Sequence, residues 1–408
     1  MSKWEEKRLE DIIDVNPPVK LKKGESYPFI DIDKVSPTRR SVTNEEVKVY
    51  DGQSSSKFCD GDTVFSRITP CLENRKIAKV AIEGDAAFGS TEFYVFRAKK
   101  KKADARFTYY LTSSDAVVLP AINSMTGASG RQRADKRFIQ RLKLNLPDLP
   151  TQERIADILS AYDDLIEANN HRIELLEQTA QELYREWFVR FRFPGYENAK
   201  FEDGIPEGSS YVRFGKAIDI IDGDRGVNYP KQEEFYPEGD CLFLNAGNVT
   251  SKGFNFSACS YITKEKDSIL RKGKLQHGDV VLTTRGTVGN VAFYNETMTF
   301  SEMRINSGMV ILRNLGVVSP EYIYTSLHHE YLQKLMTMYA SGSAQPQLPI
   351  KDMKRMKIIK PDAKTMERFT EMSADIYNQI SLLIMKNQTL AKQRDMLLPR
   401  LMSGKLEV

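Results

Sequence analysis

The chain has 408 residues, of which 41% are hydrophobic and 28% charged, a composition typical of a globular protein with two or three domains. No stretch approaches the roughly 18 uninterrupted apolar residues of a membrane-spanning helix, and the charged start "MSKWEEKRLE" lacks an apolar signal-peptide core. The four cysteines show no CxxC spacing, so we expect free thiols, a cytoplasmic location and no membrane partner.

The net charge of +4 is unevenly distributed along the chain. Residues 1–150 carry 27 Lys and Arg against 21 Asp and Glu, whereas residues 151–193 carry 5 against 9. A basic region followed by an acidic one suggests different partners for different parts, and the basic part suits a polyanion. Ordinary solvated surface explains the charges equally well.

In chain order, the first predicted elements are short strands such as "DTVFSRI" and "FYVFRA", broken by Gly, Asp, Asn and Pro. A helical segment, "FTYYLTSSDAVVLPAI", follows, and then a Gly/Ser turn, a basic strand and a long helix. The segment Phe193–Ser210 is the predicted linker, after which the same order of elements begins again and ends in a second long helix.

This recurrence is visible in the residues themselves. Ser129–Arg154 matches Ser343–Arg368 at an offset of 214 residues, and shorter matches occur upstream. They pair "KRLEDII" with "VRFGKAI", "FCDGDTVFSR" with "LQHGDVVLTTR", and "STEFYVFR" with "NSGMVILR". The acids of the two Gly-Asp pairs are interpreted as turn residues before strands. Because the ends are kept while the interiors differ in length, the sequence predicts two diverged copies of one fold.

The first long helix is predicted to begin at Thr151 as its N-cap, and the second to end at Pro399. Positions spaced alternately by four and three residues form an apolar heptad seam in each helix. They are Ile155, Leu159, Tyr162, Ile166, Asn169, Ile173, Leu176, Ala180, Leu183 and Trp187 in the first, and Phe369, Ser373, Ile376, Ile380, Leu383, Asn387, Leu390, Arg394 and Leu397 in the second.

One asparagine lies near the middle of each seam. If the helices pair antiparallel with residue numbers summing to 556, Asn169 meets Asn387. Such a polar pair costs stability but fixes the register of a coiled coil. Alternatively, each asparagine faces solvent or a backbone group.

The predicted fold class is α+β, with two domains of mixed α/β structure separated by two long antiparallel α-helices that form a coiled coil. The predicted boundaries are 1–150 for the first domain, 151–193 for the central helix, 194–364 for the second domain and 365–408 for the distal helix.

Over its whole length the chain resembles the specificity subunits of type I restriction-modification systems. The resemblance is carried by "LPTQERIADILSAYDDLIEANNHRIELLEQTAQELYREWFVRF" and by the C-terminal "LLPRLMSGKLEV". The paired "GD" strands, the turns "TGASGRQ" and "SGSAQPQ", and "IPEGSS" at the start of the second copy support it.

The resemblance implies a non-catalytic DNA-specificity subunit. Each variable domain would be a target-recognition domain for one half of a split, asymmetric sequence in double-stranded DNA. The conserved helices would set the gap between the half-sites and bind two adenine methyltransferase subunits, and restriction subunits with motor and nuclease activity would join them. No cofactor is then expected on this chain, and S-adenosylmethionine is expected on the methyltransferase partners.

Polar loops carried by the strands are the expected places of DNA contact, because Arg and Lys recognise guanine or phosphate and Asn and Gln recognise adenine. In the first domain the candidates are Arg67, Asn74, Arg75, Lys76, Arg131, Gln132 and Arg133. In the second they are Thr284, Arg285, Asn290, Arg304, Asn306, Ser341, Gln345 and Gln347. For each residue, the alternative is an ordinary exposed loop side chain.

Evidence for a catalytic site is weak. Asn16-Pro17-Pro18 is similar to the base-stacking loop of amino-methyltransferases, but Val19 stands where that loop has an aromatic residue. The four histidines lack metal-binding spacing, and no metal site is predicted. Two alternatives stay open: a self-contained modification or restriction enzyme, and a coiled-coil scaffold with no DNA role.

Overall fold

The computed structural model describes residues 4–37, 39–44, 46–342 and 345–408. The chain divides into two compact units, one formed by Met1–Ile166 with Leu390–Val408 and the other by Glu167–Thr389. Each unit contains one mixed α/β domain together with part of each long helix. Among the described residues, no helix is both long and apolar enough to cross a bilayer.

The first unit alternates short strands with a few helices. Its strands are β1 (Trp4–Arg8), β2 (Ile13–Val15), β3 (Ser26–Ile30), β4 (Ser41–Val42), β5 (Val47–Val49), β6 (Ser56–Phe58), β7 (Thr63–Ser66), β8 (Ile77–Val80), β9 (Ala87–Gly89), β10 (Phe93–Ala98) and β11 (Lys143–Pro147). Its helices are α1 (Leu9–Ile12), α2 (Ala105–Ser113), α3 (Asp115–Asn123) and α4 (Lys136–Arg141), and α5 (Leu149–Tyr184) begins in it.

A five-stranded sheet in the order β2-β10-β7-β8-β4 lies at the centre of this domain. Because side chains alternate across a strand, Val64 and Phe65 of β7 enter different cores. Val64 packs with Phe58 of the second, four-stranded sheet β5-β3-β9-β6, whereas Phe65 packs with Phe107 and Leu111 of α2. Both faces of β7 are therefore buried, which fixes its position and that of the loop that follows it.

The second unit repeats this plan. Its strands are β12 (Phe201–Glu202), β13 (Ile205–Pro206), β14 (Ser210–Arg213), β15 (Ile218–Asp222), β16 (Cys241–Leu244), β17 (Val249–Thr250), β18 (Gly253–Phe254), β19 (Tyr261–Ile262), β20 (Asp279–Thr283), β21 (Val291–Tyr294), β22 (Met303–Ile305), β23 (Met309–Asn314) and β24 (Lys357–Lys360). Its helices are α6 (Phe214–Ala217), α7 (Lys264–Ile269), α8 (Pro320–His328), α9 (Glu330–Tyr339) and α10 (Ile350–Met353), and α11 (Ala363–Met402) begins in it.

The central sheet of this domain has the order β15-β23-β20-β21 and lies against the smaller sheet β19-β16-β22. Strand β20 divides its side chains as β7 does. Val280 and Leu282 pack against α8, while Val281 packs with Leu244 of β16. The expected mixture of strands and helices is thus confirmed.

The Gly-Asp pairs form the same turn in both domains. Gly61 and Gly278 adopt φ of +79° and +90°, a region that favours glycine. Asp62 is buried and accepts two hydrogen bonds from Arg97, at 2.7 and 2.6 Å. Asp279 accepts the equivalent pair from Arg313, at 2.9 and 2.7 Å. Each acid therefore fixes the turn before a central strand.

Apart from the separate two-stranded sheet β12-β13, which lies in the linker, each domain is completed by a strand pair between its first and last strands. β1 pairs antiparallel with β11, from Trp4 opposite Pro147 to Arg8 opposite Lys143. β14 pairs in the same way with β24. The last strand of each pair leads directly into a long helix.

The long helices begin and end differently from the sequence-based expectation. Asp148, not Thr151, caps α5: its carboxylate accepts the Thr151 backbone N–H at 3.2 Å. Asp362 does the same for the Thr365 N–H of α11 at 3.1 Å. A π-helical turn, Arg185–Val189, follows α5 directly. Pro399 lies inside α11, which continues to Met402, so it does not end that helix.

Candidate nucleic-acid interface

Three loops of the first domain meet beyond the end of β7. Residue Arg133 forms β-bridges with both Ile68 and Thr126, which joins the loop after β7 to the loop after α3. The Thr69 N–H donates to the Gln132 carbonyl at 3.0 Å, and the Gln132 N–H donates to the Thr69 hydroxyl at 3.1 Å. The sequence-predicted residues Arg67, Gln132 and Arg133 are thus brought together, with exposed Arg131 beside them.

The third loop, just before β10, adds an acid that the sequence analysis did not select. Glu92 accepts a hydrogen bond from Arg67 Nε at 3.2 Å and from Arg133 Nη2 at 2.6 Å. Arg133 Nε also donates to Glu92, at 2.9 Å to Oε2. The hydrogen bonds from Arg133 hold the pKa of Glu92 below its ordinary value, and the charge of Arg67 adds to the effect. Arg67 and Arg133 therefore flank one ionised carboxylate.

The other candidates of this loop point elsewhere. Arg75 forms an ion pair with Asp115 and donates to the Ser113 carbonyl at 3.2 Å. The ammonium of Lys76 donates to the Ile32 carbonyl at 2.9 Å. Asn74 is exposed on the same turn. This turn therefore faces the ends of α2 and α3 rather than the group around Glu92.

Loops of the second domain meet in the same way beyond β20. Gln347 forms β-bridges with both Arg285 and Ser341. The Thr284 and Arg285 N–H groups donate to the Gly308 carbonyl at 2.8 and 3.2 Å. The chain thus places the loop after β20, the loop before β23 and the loop after α9 side by side.

Three predicted residues of this domain are committed to internal contacts. Arg304 is 6% exposed, and its guanidinium donates to the Asp267 carboxylate and to the carbonyls of Leu270 and Lys272. Thr284 is 3% exposed and donates to the Gly308 carbonyl. Both side chains are therefore buried and bonded within the domain, and their contact with DNA stays a prediction. The amide of Asn290 donates one hydrogen bond to the Val249 carbonyl at 3.0 Å.

The remaining candidates stand at the surface of the loop cluster. Ser341, Gln345 and Gln347 are exposed, and Asn306 is half-buried with its side-chain oxygen accepting the Gly308 N–H at 2.9 Å. The Arg285 side chain is half-buried, and its Nε has no hydrogen-bond partner within the described part of the chain. Arg285 therefore has a buried donor, Nε, that no described residue accepts.

A fourth loop, residues 223–229, was missed by the sequence analysis. Gly223 approaches the Asn306 carbonyl so closely that a Cβ would lie 2.2 Å from its oxygen. Asp224 accepts the Gly226 N–H at 2.9 Å and the Arg271 N–H at 2.8 Å, and these bonds hold the pKa of its carboxyl below the ordinary value. Arg225 donates to the Ser307 carbonyl at 3.3 Å. The loop is therefore fixed against the cluster.

The tip of that loop carries Val227, which is 100% exposed. An apolar side chain with no internal packing fits contact with a thymine methyl group or a partner surface. The position of this loop in the repeat could have identified it. "GDRGVNYP" follows β15, just as "NPPVK" follows the equivalent strand β2 in the first copy.

The histidines and acids do not form a metal site in the described residues, where no group of three or more potential ligands occurs. His328 is half-buried, its Nδ1 lies 3.0 Å from the Tyr324 carbonyl, and its partial burial lowers the pKa of its ring. It lines a cleft of the second domain together with Tyr324 and Tyr377.

Two segments of the chain, residues 1–178 and 213–389, match the protein family described as "Type I restriction modification DNA specificity domain". The chain belongs to this family. The family pattern occurs once in each copy of the repeat, and the resemblance inferred from the sequence is confirmed. The loop clusters described above thus lie on two specificity domains.

Relatives of similar length carry the same designation. The specificity subunit of type I restriction enzyme MjaIX from Methanocaldococcus jannaschii is 23% identical over 423 residues, covering 99% of this chain and 94% of that protein. The HindI specificity subunit from Haemophilus influenzae is 23% identical over 420 residues, covering 88% and 90%. Specificity subunits are non-catalytic, which agrees with the expectation that this chain is not an enzyme.

The fold also resembles a solved structure. The crystal structure of the type I restriction-modification S subunit from M. genitalium matches with a TM-score of 0.53 and 13% identity, over 98% of this chain and 96% of that one. At this identity the match shows a shared fold and nothing finer.

Within the second unit of this specificity subunit, the two long helices meet at Asn169 and Asn387. Asn169 Nδ2 donates to Asn387 Oδ1 at 2.7 Å, and Asn387 Nδ2 donates to Asn170 Oδ1 at 2.9 Å. Further along, Arg172 donates to Gln379 at 2.9 Å. The two asparagines expected to meet are therefore in contact.

Proposed function

We propose that this chain recognises a split, asymmetric DNA target for a type I restriction-modification complex, with one half-site per domain. The observation that carries the proposal is that one loop framework holds different side chains in the two domains. Arg67, Glu92 and Arg133 meet in the first, whereas Arg285 and Gln347 meet in the second. Similar scaffolds with different polar surfaces suit two different base sequences.

The second part of the proposal concerns the helices. We infer that α5 and α11 pair antiparallel along their lengths as a coiled coil whose register is fixed by Asn169 and Asn387. The hydrogen bond between these two residues supports that register, and so does the apolar cluster that includes Ile173, Ile380 and Leu383. A rigid pair of this kind suits a spacer that sets the gap between two half-sites.

The partners follow from the same proposal. Two adenine methyltransferase subunits dock on the chain and carry S-adenosylmethionine, and restriction subunits join them on double-stranded DNA. The long helices are the proposed docking sites, and their exposed apolar side chains offer contact surface to other subunits: Leu165, Leu175, Met372, Leu382 and Met396.

Genome-wide mapping of methylated adenine tests the proposal in cells that carry this chain with its methyltransferase partner. The expected result is a split motif with one methylated adenine in each half, absent when the gene for this chain is deleted. Methylation of an unsplit motif, or of the same motif in the deletion strain, would overturn the proposal.

A further inference from the structure

Backbone contacts identify equivalent positions in the two loop clusters. The Arg67 N–H donates to the Glu92 carbonyl at 2.9 Å, and the Thr284 N–H donates to the Gly308 carbonyl at 2.8 Å. Both donors follow the last residue of a central strand, and both acceptors precede the first residue of its neighbour. Arg67 therefore corresponds to Thr284, and Glu92 to Gly308.

The third member of each group is identified by the β-bridges. Arg133 bridges Ile68 in the first domain, and Gln347 bridges Arg285 in the second. Arg133 thus corresponds to Gln347. Arg285 occupies the position of Ile68, as the match of the two Gly-Asp pairs at an offset of 217 residues also requires.

The three equivalent positions all carry different residues in the two domains. The first domain has two guanidinium groups around one carboxylate, and the second has Thr284, Gly308 and Gln347, with no formal charge. In the second domain Gly308 stands at the position of Glu92. Thr284 and Gln347 stand at the positions of the two arginines that Glu92 contacts. The three charged side chains of the first domain therefore have no counterpart in the second.

The geometry of Arg67 shows what the carboxylate does for it. Glu92 binds its Nε, and the guanidinium carbon lies 5.4 Å from the centre of the Tyr94 ring. Tyr94 is itself fixed by a 2.7 Å hydrogen bond from its hydroxyl to the Ala134 carbonyl. Glu92 therefore holds the Nε edge of the guanidinium, and the Tyr94 ring lies against one of its faces. Its two Nη groups donate no hydrogen bond to any described residue.

Those two Nη groups are suited to guanine. A guanidinium whose orientation is fixed can donate two parallel hydrogen bonds to O6 and N7, and fixing it beforehand removes the entropy cost of ordering it on DNA. The part-exposed side chain of Arg133 is fixed by the same carboxylate and keeps its Nη1 for a neighbouring acceptor.

We propose that Glu92 is a positioning residue that orients Arg67 and Arg133 to recognise a guanine in the first half-site, and that the second half-site is recognised without such a carboxylate. This inference rests on the proposed function. It adds the base class that the first domain recognises and the residue that enables it.

The test uses the complex of this chain with its methyltransferase subunits and a duplex carrying the mapped split motif. The first half-site is the half of the motif that changes when the first domain is exchanged for that of a specificity subunit with a different target. Each guanine in it is replaced in turn by 7-deazaguanine, which keeps base pairing but lacks the N7 acceptor. One replacement is expected to weaken wild-type binding about 5- to 100-fold.

The variant Glu92→Gln keeps the shape of the side chain and removes its charge. It is expected to weaken binding of the natural duplex about tenfold and to abolish the effect of 7-deazaguanine, while recognition of the second half-site stays unchanged. Glu83→Gln, the same change at an exposed glutamate of this domain, is expected to leave both measurements as in wild type.

A triple variant guards against a folding defect. It combines Arg67→Thr, Glu92→Gly and Arg133→Gln, which gives the first domain the residues that stand at the equivalent positions of the second. We expect this variant to bind independently of guanine N7 and still to recognise the second half-site.

Three results would overturn the inference while leaving the proposed function intact: a first half-site without a G·C pair, no effect of any 7-deazaguanine, or full sensitivity retained in Glu92→Gln. Tighter binding by Glu92→Gln with a steeper salt dependence would also overturn it, since Glu92 would then mask the arginines. Absence of a split motif would instead contradict the proposed function.

Discussion

Asn169 donates a hydrogen bond to Asn387 across 2.7 Å between α5 and α11. Asn169 is 7% exposed, so its amide depends on this contact more than on water. Asn387 has a second partner in Asn170. The contact therefore joins the buried amide of Asn169 to the half-buried amide of Asn387, which also bonds the exposed side chain of Asn170.

Replacing one or both of these asparagines should show two quantities separately: the free energy of the hydrogen bond, and the free-energy cost of burying polar side chains between the helices. Asn169→Leu is expected to lower the free energy of unfolding by about 1–2 kcal/mol, because Asn387 loses a partner. Asn169→Leu with Asn387→Leu should restore much of that loss, because both polar groups are then removed. Urea unfolding of the two single variants and the double variant measures the coupling, with exposed Gln178→Leu as the control. Additive effects would contradict a direct interaction.

Asp163 is a buried carboxylate in the first unit, 3% exposed. It accepts a hydrogen bond from the Tyr110 hydroxyl at 2.5 Å and forms an ion pair with Arg394 of α11. Arg394→Met is expected to lower the free energy of unfolding by about 3 kcal/mol, since the carboxylate would lose its counter-charge. Chemical denaturation measures the change, and exposed Arg400→Met is the matched control. Equal effects of the two variants would contradict a structural role for the ion pair.

Glu177 lies in a cleft lined by Tyr324, His328 and Tyr377. Burial raises the pKa of its carboxyl from 4.5 to about 7, and the charge of Lys252 opposes part of the rise. The folded state therefore holds the proton more tightly than the unfolded state, and the free energy of unfolding falls as pH rises from about 4.5 to about 7.

Glu177→Gln cannot ionise and should remove this loss. We expect it to raise the free energy of unfolding near pH 8 by on the order of 2–3 kcal/mol and to change it little near pH 4. Urea unfolding across this pH range checks the prediction, with exposed Glu153→Gln as the control. A difference between variant and wild type that is the same at every pH would count against it.

Arg285→Ala tests the second domain's loop cluster. The variant is expected to weaken binding to one half-site by about 1–3 kcal/mol if the guanidinium makes a bidentate contact to guanine, without a loss of folding stability. Binding of the complex to duplexes altered in one half at a time measures the effect. Arg213→Ala, an exposed arginine of β14 outside the loops, should change neither half. Unchanged recognition by Arg285→Ala would remove this residue from the interface.

The repeated features of the fold could be predicted because they are local in the sequence. The Gly-Asp turns and the Pro-Asp pairs before the helices act over three or four residues, and the heptad seam needs only its spacing. Thr151 is nevertheless not the N-cap that its sequence context predicts, because Asp148 performs that role. Both residues are good caps, and only the backbone path distinguishes them.

The loop residues were less predictable because their partners are distant in the chain. Arg304 stands in a polar stretch, but it lies on β22, and its carboxylate partner, Asp267, is 37 residues away on α7. Glu92 was overlooked because acids are poor candidates for contact with a polyanion. Its importance appears only when folding brings Arg67 and Arg133 to it from opposite directions along the chain.

The strand pairs that complete each domain have a consequence for how such a protein changes. Because β1 lies against β11, and β14 against β24, each domain starts and finishes at one place on its own surface. A domain with other loops and another length can be inserted there if its first and last strands pair. If each domain recognises one half-site, as we propose, a new target would arise in a single recombination event that exchanges one whole domain and leaves the other half-site unchanged.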